Sequence, residues 1–493
     1  MRIITLGTHP RTSVATYGTA LFFLIGGLFA SPVFAQAPRI TSVTPQVATR
    51  SGMVVIAGDH LGSKKNASIL IGGQPAWATT WNDRQITAYV PESTALGPVP
   101  VQLTGNLSSA TGPTLTVQER KPELPTAQGT VAWRFEVLAN YISHRADVGR
   151  DGTVYFNDSS GFLYALTPAG ALKWVYDGEN LGSSGPTVVG RNGTIYFGVA
   201  APDAAIHAVN PDGTGKWIFP APDSQGPVGG PGIGPDGNIY AVFDIGGSIG
   251  AVSLTPDGTL RWNNLGEPRV GEFGQVGREL VFGGGNVYFT SKYYGDVYGF
   301  ELTQGTQRFY TNIGTALQAA TSRNGTLYVP TGLRLNSYSK TGQFRWSFFG
   351  DEQPPTNDLT APDVSSRDGN IYINRNLGEL YSLTPTPTVR WKVSSLLAQG
   401  PVPGPIVSPI NTLVLMGGQE TYGMPGLIKA FSTADGSVLF SISIPKEPDG
   451  TCAVPYARAR FTRTGDRAYI PAVQLCVVPQ QYHSWLYAID ITP

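Results

Sequence analysis

Very few side chains in this 493-residue chain are spaced for chemistry. Beyond residue 35 there are four histidines, His60, His144, His207 and His483, with no pair at a metal-ligand interval and neither cysteine close to one in sequence. Asp-Gly pairs recur with the acid at 151, 212, 236, 257 and 368, but none lies in the oxygen-rich loop that calcium requires, so they read as hairpin turns. Gly246-Gly247-Ser248-Ile249-Gly250 has the spacing of a nucleophile elbow, a motif that needs a strand-to-helix turn; here it falls between two strand-like runs. Gly232 to Gly237 has dinucleotide-fingerprint spacing, yet it leads into Asn238-Ile239-Tyr240, a strand-like run without a helix N-terminus to receive a pyrophosphate. No catalytic residue and no metal-ligand set is expected.

Cys452 and Cys476 are the two cysteines of the chain. In an exported protein their default is a disulfide, worth about 3 kcal/mol in the chain-entropy model; two buried thiols are the alternative. Export itself is read from residues 1–35, where Arg2 and Arg11 precede an apolar stretch from Ala20 to Ala30 and a small-residue exit, Val33-Phe34-Ala35. That is the layout of a signal peptide, and the stretch is shorter than the roughly 20 apolar residues that span a bilayer. After its removal no transmembrane segment is expected, and the location is secreted, periplasmic or at the cell surface. Lys plus Arg equals Asp plus Glu at 34 each, and 14% of residues are charged, so no nucleic-acid partner is expected. The 61 glycines and 39 prolines call for many tight turns.

The turns organise into two rhythms. From Arg39 to Gln118, seven short apolar runs separated by turn residues (40–43, 53–57, 68–71, 76–81, 85–90, 99–103 and 114–117) predict an immunoglobulin-like sandwich over 39–118. Residues 119–128, with Pro122 and Pro125 among charges, read as a linker. Beyond it a tyrosine follows a turn glycine by three residues at Tyr155, Tyr196, Tyr240, Tyr288, Tyr328 and Tyr372, with Val414 and Tyr469 in two degenerate copies. An aromatic follows a second glycine by four residues at Trp174, Trp217, Trp262, Phe309, Trp346 and Phe440; in the sixth copy Pro387 replaces the glycine before Trp391. Repeats of about four short strands predict an all-β chain whose residues 129–493 form an eight-bladed β-propeller. The eighth copy stops before its aromatic, and Gly129 to Trp133 has the missing spacing. Residues 130–137 are therefore expected to supply the outer strand of the last blade and close the ring.

Counting back ten to twelve residues from each tyrosine reaches the start of an innermost strand. His144 and Arg145 stand there in the first blade, and Arg458, with Arg460 close by, in the eighth, whereas other blades offer Gly185, Gly229 or Ala361. Such a basic cluster at the mouth of the central channel either binds a carboxylate or a glycan anion, or pairs with loop acids and steadies the seam. Trp77, Trp81 and Tyr293-Tyr294 are aromatic candidates for stacking; alternation places Trp77 and Trp81 on one face, and core is the expectation for them.

Ile40-Thr41-Ser42-Val43-Thr44-Pro45, Val54 to Gly58, Ile71-Gly72-Gly73 and Ile86 to Pro91 resemble the IPT/TIG family over nearly the whole first segment. Ala165 to Trp174, repeated at Ala208 to Trp217 and Ser253 to Trp262, resembles the PQQ-type, quinoprotein-dehydrogenase-like propeller. That resemblance implies either a quinone-dependent alcohol dehydrogenase or a non-enzymatic scaffold of the kind that assists outer-membrane assembly. The dehydrogenases carry a vicinal cysteine pair and a calcium-ligand set beside the quinone. This chain has no adjacent cysteines and no transferable ligand set, so no cofactor is expected. The function expected is binding or scaffolding toward an unknown protein or glycan, with a degenerate or PQQ-dependent oxidoreductase as the alternative.

Overall fold

A computed structural model describes residues 37–105, 112–120 and 129–491, except 180–181, 184, 201–203, 222–223, 246–247, 269–278, 291–294, 315–316, 351–358, 376–377, 396, 398–402, 422, 448–449 and 476–481. The expected leader, Tyr293-Tyr294, Cys476 and most of the linker lie outside the described residues. Every described element is a strand, and no helix among the described residues is long and apolar enough to cross a membrane.

The N-terminal sandwich pairs Arg39–Thr44, Met53–Asp59, Gln85–Tyr89 and Trp77–Trp81 in one sheet. Its second sheet holds Val47–Thr49, Thr114–Gln118, Gly97–Gly105, Ala67–Ile71 and Gln74–Pro75. Alternation explains the packing: in Met53–Asp59 the residues Val54 and Ile56 are fully buried between the sheets while their neighbours are not. The expectation for Trp77 is corrected. A register shift between Ala78 and Thr80 breaks the alternation, so Trp81 packs against the core while Trp77 is 44% exposed.

From Thr130 onward, eight successive sheets are described, seven of four strands and one of five. In each four-stranded sheet the strands run antiparallel in chain order from an innermost strand, two or three residues long in all but the third, to an outer edge. The repeat residues account for this shape. Asp151 accepts the Thr153 amide at 3.0 Å and Gly152 sits at φ 80°, closing the turn between the first two strands of the first blade. The repeat tyrosines are buried, and each contacts the outer-strand aromatic of its own blade, as in Tyr155–Trp174 at 5.8 Å and Tyr372–Trp391 at 5.9 Å.

Successive blades are locked by a second use of the same aromatics. Trp174 lies against Gly213 of the next blade, where an added Cβ would come within 2.8 Å of the indole, and its Nε1 donates to the Pro211 carbonyl at 2.9 Å. Trp133, Trp217, Trp262, Phe309, Trp391 and Phe440 meet Gly170, Gly258, Gly305, Gly342, Gly436 and Gly129 in the same way. These glycines are thus required twice, for positive φ and for the absence of a side chain.

Strand Thr130–Leu138 pairs antiparallel with His483–Asp490, with Phe135 opposite Leu486 and Trp133 opposite Ala488. The final sheet is therefore built from both ends of the described propeller segment, and its Trp133 contacts Tyr469 at 5.6 Å just as the other blade aromatics contact theirs.

Candidate functional site

The innermost strands are only two or three residues long in most blades, and they contact one another in succession around the axis. Convergence there leaves no room for side chains: a Cβ on Gly185 would stand 2.0 Å from the Gly230 carbonyl, and one on Gly404 would stand 1.9 Å from that of Ala361. The closing blade differs. Its inner strand is split into Ala453–Pro455 and Arg460–Phe461, and the residues between them carry Arg458.

A cavity of about 490 Å³ lies among these inner strands, lined by Arg145, Glu279, Asp363 and a run from Arg458 to Arg463, together with Ile406, Val407 and Pro409. Of the four residues expected from sequence, the structure brings Arg145, Arg458 and Arg460 together on this cavity. His144 is buried and does not line it.

Each of the three arginines meets an acid. Arg145 Nε lies 3.1 Å from Glu279 Oε1, Arg458 Nη2 lies 3.4 Å from Asp363 Oδ1, and Arg460 Nη2 lies 2.7 Å from Asp147 Oδ1. Arg458 Nη2 also donates to the carbonyls of Pro362 and Pro405, at 3.2 and 3.0 Å. The acids in turn tie neighbouring inner strands: Asp147 Oδ2 accepts the Val189 amide at 2.9 Å and Asp363 Oδ2 that of Val407 at 2.8 Å. Glu279 precedes the fourth blade's inner strand, Val281–Gly283, so the Arg145 pair joins blades that are not neighbours in the chain.

The electrostatics follow from burial and pairing. Burial works to lower the Arg145 guanidinium, but Glu279 and Asp147 outweigh it and the net shift is upward, so the residue stays charged. Burial pushes the Asp363 carboxyl up, opposed by Arg458 and by the Val407 amide. Nη1 of Arg145 and Nε of Arg458 are buried without a hydrogen-bond partner among the described residues. Arg463, at the exposed rim, has no ion-pair partner among the described residues. The cluster thus holds four guanidinium groups against three carboxylates, counting Asp147 behind Arg460.

Sequence reasoning missed Glu279, Asp363, Asp147 and Arg463. Asp147 and Asp363 were readable in part, since both stand eight or nine residues before a repeat tyrosine, at Tyr155 and Tyr372. Glu279 carries the same signal, nine residues before the repeat tyrosine Tyr288, and Arg463 carries none.

Residues 38–117 match the family model described as IPT/TIG domain, and residues 123–348 match the one described as outer membrane protein assembly factor BamB. The chain carries an IPT/TIG domain followed by a PQQ-like β-propeller. No curated protein matches the sequence. Among solved structures the chain is similar to the quinohemoprotein alcohol dehydrogenase of Comamonas testosteroni, at 10% identity and a TM-score of 0.52, over 74% of this chain and 78% of that one. The C-terminal WD40 domain of Sif2 aligns at 10% identity and a TM-score of 0.53, over 73% and 98% of the two chains. BamB from Moraxella catarrhalis aligns at 14% identity and a TM-score of 0.48, over 73% and 98%. At these identities the likeness concerns the fold.

A quinone with calcium, which the dehydrogenase resemblance implies, finds an unsuitable donor set in the axial cavity. Both carboxylates that line it are engaged by arginines, and four guanidinium groups would repel a divalent cation. Among the described residues no group of three or more His, Cys, Asp or Glu is placed to hold a metal ion. No step through that cofactor is derived.

Proposed function

We propose that this chain is an exported, non-catalytic binding protein, a scaffold that captures an acidic group of a protein partner at the propeller axis. The observation that carries the reading is the cavity of about 490 Å³ in which Arg145, Arg458, Arg460 and Arg463 outnumber the acids they meet. Its size lies within the range of ligand sites, and a carboxylate is the group that a guanidinium fork recognises best. Export is supported by the basic and apolar layout of residues 1–35, and an extracytoplasmic scaffolding role by the assembly-factor description of the matching family model. A disulfide between Cys452 and Cys476 fits the same compartment.

The test is retention on an immobilised Glu-rich peptide, with polygalacturonate as the glycan probe. Arg463→Ala breaks no ion pair among the described residues, and the Arg145→Ala, Arg458→Ala double variant removes both forks. Peptide retention that falls in both variants, with melting of Arg463→Ala unchanged, is the expected result. Retention equal to that of the unaltered protein in both would overturn the site, and capture by polygalacturonate alone would replace the protein partner with a glycan. Dye reduction on adding PQQ and calcium would overturn the non-catalytic reading.

A further inference from the structure

We infer that the IPT/TIG sandwich is a clasp on the seam of the propeller, holding the borrowed strand Thr130–Leu138 in place. The seam is the weak point of such a ring: one blade is completed by pairing the two ends of the repeat array, with no chain running across the join. The sandwich sits on this place. Tyr89 ends the sandwich strand Gln85–Tyr89 and would be a surface residue of an isolated domain, yet it is 1% exposed. Its ring stacks on Phe135 of the borrowed strand at 5.1 Å and 21°, and stands edge-on to Tyr164 of the first blade at 6.1 Å. Its hydroxyl donates to the Glu136 carbonyl at 3.1 Å. One side chain thus touches the strand to be held and the blade beside it.

A polar relay continues inward from this contact. Tyr164 donates to Asp158 Oδ2 at 2.8 Å, and Asn140, two residues past the borrowed strand, donates to the same oxygen at 3.0 Å. The Asn140 carbonyl accepts from Ser484 Oγ at 2.9 Å, on the strand with which Thr130–Leu138 pairs. Two further tethers hold the sandwich to the first blade: Ser51 Oγ accepts the Leu172 amide at 2.7 Å, and Lys64 Nζ lies 3.0 Å from Asp177. The effect shows in the outer edge strands. In the first blade Leu172 and Val175 are 8% exposed, whereas the same strand exposes Ile218 by 53% in the second blade and Val438 by 56% in the seventh.

This inference is independent of any ligand at the axis. It is tested by hydrogen exchange on the full chain, comparing the peptide covering 483–490, which pairs with the borrowed strand, with the fifth-blade peptide 327–338. Tyr89→Ala is expected to raise exchange of 483–490 by about tenfold and leave 327–338 unchanged, because a lost stacking contact and hydrogen bond favour local opening. Ser51→Ala removes the hydrogen bond to the Leu172 amide and one inside the sandwich, to Glu92 Oε1 at 2.6 Å; the one bond lost across the contact is expected to raise exchange of 483–490 about threefold. If Tyr89→Ala does not fold, Ser51→Ala decides alone. Protection of 483–490 equal to that of the unaltered protein, or an equal rise at 327–338, would overturn the clasp and leave the sandwich a passive neighbour.

Discussion

Replacing Trp133 by alanine removes the aromatic that the borrowed strand brings to the last blade. The side chain is 7% exposed, contacts Tyr469 at 5.6 Å and covers Gly170 of the first blade, where an added Cβ would stand 2.5 Å from the indole. Taking about 200 Å² of buried surface at ~25 cal/mol/Å² gives about 5 kcal/mol as an upper bound. Measured costs of Trp→Ala in cores, about 3–5 kcal/mol, bracket the same figure. The lost hydrogen bond adds little, because the Pro168 carbonyl that accepts Trp133 Nε1 at 2.9 Å also accepts Arg467 Nη1 at 2.7 Å. Trp346 is the internal control. It is only partly buried, its Nε1 reaches the Pro385 carbonyl at 3.2 Å at an exposed site, and its neighbouring turn has Pro387 in place of glycine. Its removal is expected to cost about 1–2 kcal/mol, in keeping with partial burial. Urea unfolding followed by far-ultraviolet circular dichroism on both variants provides the comparison. A Trp133→Ala loss no greater than that of Trp346→Ala would refute the view that the seam depends on the same interlock as the other blades.

Two further outcomes follow from buried groups. Asp158 is pushed up from 3.8 to about 6 by burial, against opposing hydrogen bonds from Tyr164, Asn140 and two backbone amides. Its folded value lies above its unfolded one, so its contribution to stability is full below pH 4 and is lost as pH rises through 6, about 3 kcal/mol in all by linkage. Asp158→Asn lacks this titration, and the stability of the unaltered protein relative to the variant should fall by up to that amount between pH 4 and 7; a pH-independent difference removes the argument. For the cysteines, intact-mass measurement of the purified protein after alkylation without reductant should show no label on Cys452 or Cys476, and labelling of both would exclude the bridge.

The local parts of this protein were legible because each is set by a few neighbouring residues. A glycine at positive φ after an aspartate that caps the amide two residues further on makes a turn wherever it occurs, as at Asp151-Gly152. A tyrosine three residues on is then forced into the strand that follows. Spacing of glycine and tryptophan fixed which residues meet within and between blades, and the same arithmetic assigned Gly129 to Trp133 to the far end of the chain, where Trp133 stands opposite Ala488. Trp77 escaped the arithmetic through a single bulge, since one inserted residue reverses the facing of a strand and no turn signal marks it.

The axial site shows the other limit of sequence. Arg145, Arg458 and Arg460 could be placed near the axis from the repeat period alone, but their charges are balanced by acids that the chain delivers from elsewhere. Glu279 is 134 residues from Arg145, and its place nine residues before Tyr288 does not say which arginine it will meet. Ring geometry brings them within 3.1 Å because inner strands from every blade converge on one line, so distance along the chain carries no information about distance across the channel. The docking of Tyr89 is of the same kind: the sequence specified a sandwich and a propeller separately, as sets of local patterns. Which surface of one covers which strand of the other was decided only when burial of Phe135, Tyr164 and Tyr89 in a common cluster became available to the folded chain.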